Sequence, residues 1–185
     1  MHKTNLGNRI MVIGSCGSGK TTFSIQLSKI LGLPLIHLDK EYWRPGWIET
    51  PKKEWHEKVE NIVSQENWII DGNYNGSLDI RFKRTETVIF MDYNKYICLY
   101  GIFKRFILNY GRNRNDMGAG CNEKFPNLQF IRFVWNFKKD SRQNIMDKMI
   151  SYEKINKVIL KNRKGAKKFL LNLENDTNTL DYNFC

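Results

Sequence analysis

Long apolar runs are missing from this 185-residue chain, and acidic residues are scarce. Its apolar stretches are only of strand length, 26% of its residues are charged and its mean hydropathy is −0.53, so no membrane span is expected. Met1-His2-Lys3 leads straight toward a strand-like segment, so no signal peptide is expected either. Cysteine is sparse. Cys16, Cys98, Cys121 and Cys185 are scattered without a C-x-x-C pair, which argues against a disulfide framework or a zinc site and predicts reduced thiols in a cytoplasm. No internal repeat or domain-sized linker appears, so one domain over 1–173 is expected, followed by a flexible tail over 174–185. Helix-turn-helix, zinc-finger and RNA-binding signatures are also missing. Acidic residues number 19 against 30 basic ones, a net charge of +11, with much of the excess between Lys104 and Lys168. Such a balance suits an anionic partner, either nucleotide phosphates or a nucleic acid, or it is the solvated lysine of an Asn/Lys/Ile-rich composition.

One motif is present in full. Gly14-Ser15-Cys16-Gly17-Ser18-Gly19-Lys20-Thr21 fits G-x-x-x-x-G-K-[ST]. The apolar segment Arg9–Ile13 runs into it, and Thr22 to Leu31 leaves it with apolar residues at helical spacing. A strand, a glycine loop and a helix N-terminus gather backbone N–H groups around a phosphate chain, and the helix dipole adds to the attraction. In that geometry Lys20 reaches the β- and γ-phosphates and the Thr21 hydroxyl ligates Mg²⁺. ATP and Mg²⁺ are therefore the expected cofactors, bound by Gly14 through Thr22.

Further apolar segments alternate with helical ones. Leu33–Asp39, Asn67–Gly72, Thr87–Asp92 and Lys157–Lys161 read as strands. Helices are expected over about 51–65, with Thr50 as cap and Pro51 at the first position, over 95–110, through Phe130, Phe133, Val134 and Phe137 toward Met149, and over 165–173. Glu41 to Gly46 reads as loop. Gly111 to Pro126 is polar and glycine-rich without apolar periodicity, which predicts a mobile loop. This alternation predicts an α/β three-layer sandwich around a five-stranded parallel sheet, with ligands beyond the carboxyl ends of its strands. Asp39, Asp71 and Asp92 each follow such a strand, Asp92 as an expected cap of the next helix.

The order of these segments resembles the adenylate-kinase-like branch of P-loop kinases, and within it the DNA topology modulation (FlaR-related) family. Carrying the resemblance are His37-Leu38-Asp39-Lys40, Tyr42-Trp43-Arg44-Pro45-Gly46-Trp47, Asp71-Gly72-Asn73-Tyr74-Asn75-Gly76, Gly111-Arg112-Asn113-Arg114, Gly120-Cys121-Asn122-Glu123 and Trp135-Asn136-Phe137. It implies a strand order 2-3-1-4-5 and a basic lid over about 105–142. Asp39 then contacts the acceptor or metal-bound water and is placed to take a proton from an attacking hydroxyl, or else is a turn or capping aspartate. Asp71 helps Thr21 hold the metal, or is an ordinary Asp-Gly turn. After Gly72 the chain departs from the adenylate kinases: Asn73-Tyr74 stands where they carry an acceptor-gripping arginine, and Arg81 is the candidate substitute. Arg112, Arg114 and Arg142, with Arg105, are candidate lid arginines for the transferred phosphoryl group. Tyr42, Trp43, Trp47 and Trp55, with Arg44 among them, form either an acceptor wall or the core of a small subdomain. Cys16 is an oxidation candidate or a small packing residue, and His37 reads as a core histidine.

Two functions follow: an ATP- and Mg²⁺-dependent phosphotransferase acting on a nucleotide, nucleoside or other small acceptor, or a nucleic-acid-binding regulator using ATP as a switch. A monomer or homodimer without membrane attachment is expected.

Overall fold

Apolar runs become strands in the computed structural model, which describes residues 5–181, and the three central ones are buried on both faces. Seven strands lie among those residues: β1 (Arg9–Gly14), β2 (Leu35–His37), β3 (Trp43–Arg44), β4 (Ile48–Glu49), β5 (Trp68–Asp71), β6 (Thr87–Met91) and β7 (Asn156–Leu160). The main sheet is parallel throughout, in the order β2-β5-β1-β6-β7. Counted within that sheet alone, this is 2-3-1-4-5. β3 and β4 pair antiparallel as a separate hairpin within and just after the segment expected to be loop.

Alternate residues of the strands feed two cores. Met11, Ile13, Ile70, Val88 and Phe90 meet Trp55, Val59, Phe82, Phe137 and Ile145 on one face. Ile10, Val12, Ile69, Ile89 and Met91 meet Phe23, Leu27, Cys98, Ile102 and Leu170 on the other. The helices that supply these layers are α1 (Lys20–Leu31), α2 (Leu38–Tyr42), α3 (Lys52–Ser64), α4 (Leu78–Phe82), α5 (Lys95–Asn109), α6 (Leu128–Asp140), α7 (Arg142–Ser151) and α8 (Arg163–Asp181). None of the described helices is long and apolar enough to cross a membrane.

Several local expectations are corrected. β2 is a three-residue, half-buried edge strand with a single neighbour, so it gives way to α2 before Asp39. Thr50 does not cap α3: its hydroxyl donates to the Tyr42 carbonyl at 2.5 Å, and Pro51 occupies the cap. The helix expected to run from the Phe130–Phe137 stretch toward Met149 breaks at Ser141. α8 runs to Asp181, past the expected tail boundary, because no glycine or proline after Gly165 interrupts it; residues 182–185 of that tail lie outside the described ones. The 111–126 segment has apolar anchors after all, with Met117 and Cys121 buried and a bridge joining Asn113 to Asn122.

Candidate functional site

The glycine loop leaves β1 and enters α1 without a side-chain cap. Gly19 takes that position in the left-handed region (φ 92°), which leaves the first amides of α1 free for an anion. The Lys20 ammonium donates to the Ser15 carbonyl at 3.1 Å. Ser18 is buried with its hydroxyl unpartnered, whereas Thr22 is exposed. Asn73 pins the start of the loop from both sides: its Oδ1 accepts from the Gly14 amide at 2.8 Å and its Nδ2 donates to the Gly14 carbonyl at 2.7 Å. α5 lies backbone against backbone on the loop, since a Cβ at Gly17 would overlap the Cys98 carbonyl and one at Gly101 the Gly17 carbonyl. Burial raises the pKa of the Cys16 thiol and outweighs the opposing pull of Lys20. Burial thus works against the activated thiol that a helix N-terminus suggests.

Carboxylates gather beside this loop. Asp71, at the end of β5, accepts from the Thr21 hydroxyl through Oδ2 at 2.9 Å, and His37 Nδ1 lies 3.2 Å from the same oxygen. Its Oδ1 is buried without a partner. A second acid reaches the same hydroxyl: Asp116 Oδ2 lies 3.1 Å from Thr21 Oγ1. Asp39 sits in the first turn of α2, where its Oδ1 accepts from the Tyr74 hydroxyl at 2.6 Å. Desolvation raises the Asp39 pKa and the Asp71 charge adds to this, while the Tyr74 hydrogen bond, Lys20 and Arg114 oppose it. The same desolvation, with Asp39 beside it, raises the Tyr74 phenol.

On the acceptor side, Tyr42 packs against Trp43 and Trp55 at 5.1 Å each and against Tyr74 at 4.6 Å between ring centroids. Trp55 is core; Tyr42, Trp43 and Trp47 remain partly exposed. Arg44 is exposed and ion-paired with Glu54. Arg81 is corrected: it is fully buried and does not line an acceptor site. Its guanidinium donates to the carbonyls of Gly72 at 2.9 Å, Tyr74 at 3.1 Å and Asn73, so it clamps the turn that carries Asn73 and Tyr74. Burial without a carboxylate partner lowers its pKa to about 9.

The lid arginines separate. Arg114 is largely buried, with Nε 3.0 Å from Glu123 and Nη1 3.3 Å from Asp116. Arg105 joins the same Glu123 at 3.0 Å. Arg112 is exposed and holds the loop through its backbone, accepting from the Glu123 amide. Arg142 lies on Asp92, its Nε 3.0 Å from both carboxylate oxygens. Asp92 is thus an ion partner, and Asn94 caps α5 in its place.

The sequence pattern gives Asp116, Glu123 and Gly101 no role, and Asn73 and Tyr74 none beyond marking a departure from the adenylate kinases. All but Gly101 lie in or beside the quoted segments. Only an unexplained acid inside a basic loop marked Asp116.

No protein-family model matches the chain, and no curated protein matches it by sequence. Solved structures do match. A shikimate kinase from Acinetobacter baumannii in complex with shikimate matches with a TM-score of 0.56 and 15% identity over 92% of each chain. A gluconokinase from Sinorhizobium meliloti 1021 matches at 0.55 and 13% over 97% of each. A deoxyadenosine kinase from M. mycoides with products bound matches at 0.50 and 15%, over 92% of this chain and 98% of its own. The chain has the P-loop kinase fold. The nucleic-acid reading gains no support from these likenesses.

Proposed function

We propose that this chain is an ATP- and Mg²⁺-dependent phosphotransferase acting on the hydroxyl of a small acceptor. The convergence of Lys20, Thr21, Asp71 and the Tyr74-bonded Asp39 supports this reading most strongly. We further infer kinship with the topology modulation family from the segments quoted above, many of which line this site.

Loop amides and Lys20 hold the phosphate chain, and Asn73 fixes where that loop begins. The Thr21 hydroxyl and the Asp71 carboxylate suit Mg²⁺, whose charge fits the orphaned Asp71 Oδ1. Bound with the nucleotide, the ion neutralises charge on the β- and γ-phosphates. Tyr74 occupies one oxygen of Asp39, leaving the other for the acceptor hydroxyl. A carboxylate whose pKa is raised by burial is better matched to accepting that proton than an exposed one. Tyr42 and Trp43, packed edge to face, provide an aromatic corner for the acceptor, and Arg114 supplies a buried cation near the transferred group. Most of the rate then comes from positioning and electrostatics.

Labelled ATP, screened against nucleosides, nucleoside monophosphates and hydroxylated metabolites, tests this reading. Transfer to at least one of them, lost in Lys20→Ala, is expected; no transfer to any class, or ATP binding unchanged in Lys20→Ala by calorimetry, contradicts it.

A further inference from the structure

Two carboxylates converge on one hydroxyl. Thr21 Oγ1 lies 2.9 Å from Asp71 Oδ2 and 3.1 Å from Asp116 Oδ2. Threonine has a single hydroxyl proton, so whichever carboxylate accepts it, the other O···O contact has no threonine hydrogen in it. Both acids are at least nine-tenths buried, and the remaining oxygen of Asp71 has no partner. No ammonium or guanidinium among the described residues pairs with Asp71: Lys20 donates to the Ser15 carbonyl, and Arg114 lies 3.3 Å from Asp116 and 3.0 Å from Glu123, an acid it shares with Arg105. His37 Nδ1 approaches only the Asp71 oxygen that Thr21 already touches. Such a group of oxygens is short of positive charge at the place where the nucleotide reading puts a divalent ion.

Asp116 belongs to neither the sheet nor α1. The 111–126 segment carries it, two residues from Arg114, and that segment docks on the β3–β4 hairpin: the Gly46 amide donates to the Gly120 carbonyl at 3.3 Å and Trp47 Nε1 to the Asn122 carbonyl at 3.1 Å. One loop thus presents a carboxylate to the phosphate loop and a guanidinium to the same cleft.

We propose that Asp116 is a second carboxylate of the divalent-cation site, so that the nucleotide's metal ties the 111–126 loop to the phosphate loop and brings Arg114 with it. The inference rests on nucleotide binding as proposed above. Mg²⁺ and Mn²⁺ share these oxygen ligands, and Mn²⁺ can be counted by its spectrum.

The test is Mn²⁺ titration, followed by electron paramagnetic resonance, of the full chain with a non-hydrolysable ATP analogue, and no turnover is needed. Asp116→Asn should weaken Mn²⁺ binding about tenfold or more, the usual scale for a ligand-supporting group, while Asp116→Glu keeps most of it. Amide exchange in 111–126 should slow when Mn²⁺ and analogue are added to the wild type, and not in Asp116→Asn. Equal Mn²⁺ affinity in wild type and Asp116→Asn overturns the proposal. So does tighter metal-free analogue binding in that variant with Mn²⁺ affinity unchanged, which makes Asp116 a latch on the empty loop. A wild type that binds no analogue overturns the nucleotide reading itself.

Discussion

Tyr74 donates its phenolic hydroxyl to Asp39 at 2.6 Å, joining the turn after β5 to the first turn of α2. Tyr74 holds this position with its backbone in the left-handed region (φ 42°), a conformation that costs a non-glycine residue energy and persists only where neighbours impose it. Arg81 and Ser77, both donating to the Tyr74 carbonyl, are neighbours that do so.

Tyr74→Phe removes a hydrogen bond that favours the charged form of Asp39 and leaves the ring packing in place. The Asp39 pKa then rises further. A base works only when deprotonated, so the acid limb of the kcat/KM–pH profile should move to higher pH. The variant should lose activity several-fold at acidic pH and recover it as pH rises. A loss that is equal at every pH would make Tyr74 a packing residue alone.

Arg81→Met should be among the most destabilising single changes in the chain, at about 3 kcal/mol by analogy with other broken buried charge networks. The carbonyls of Gly72 and Asn73 would lose their guanidinium donor, that of Tyr74 would keep only its Ser77 donors, and the hold on the left-handed Tyr74 would weaken. Arg44→Ala, on an exposed ion pair, should cost less than about 1 kcal/mol. Chemical denaturation of the two variants checks the contrast, and a reversal would restore Arg81 to the acceptor side.

The phosphate loop and the five main strands were legible because each rests on a local signal: a glycine pattern, or an apolar run between polar breaks. Arg81 was not, since nothing local tells a buried guanidinium bound to carbonyls from one waiting for an anion. Asp116 and Glu123 were hidden by the net positive charge of their loop, although they are what hold Arg114 and Arg105 inward. Gly101 looked like an unexceptional helix residue. Its role appears only where α5 crosses Gly17 at backbone distance. The edge position of β2 was implied by the order 2-3-1-4-5, but its shortness was not: it ends at His37, which moves Asp39 from a strand end into a helix.

Arg114 and Arg112, two residues apart, should differ in kind. Arg114 is enclosed between Glu123 and Asp116, so Arg114→Ala should lower kcat about a hundredfold or more with little change in the KM for ATP, the pattern of an interaction made mainly in the transition state. Arg112 is exposed, and Arg112→Ala should leave kcat within about threefold of wild type. Steady-state kinetics on a productive acceptor decide between them, and equal losses in the two variants would contradict the assignment.

Asp39→Asn tests the central claim most directly. Because folding raises the Asp39 pKa, the folded chain binds its proton more readily than the unfolded one, and the charged carboxylate opposes folding once pH exceeds its ordinary value of 3.8. Replacing it should therefore raise the melting temperature at pH 7, with the difference narrowing as pH falls toward that value. The decisive measurement is transfer of the labelled γ-phosphoryl group from ATP to a productive acceptor by this variant, alongside its ATP affinity by calorimetry. The account predicts a loss of transfer of about a hundredfold or more with ATP affinity unchanged. Transfer at the wild-type rate by Asp39→Asn would contradict it.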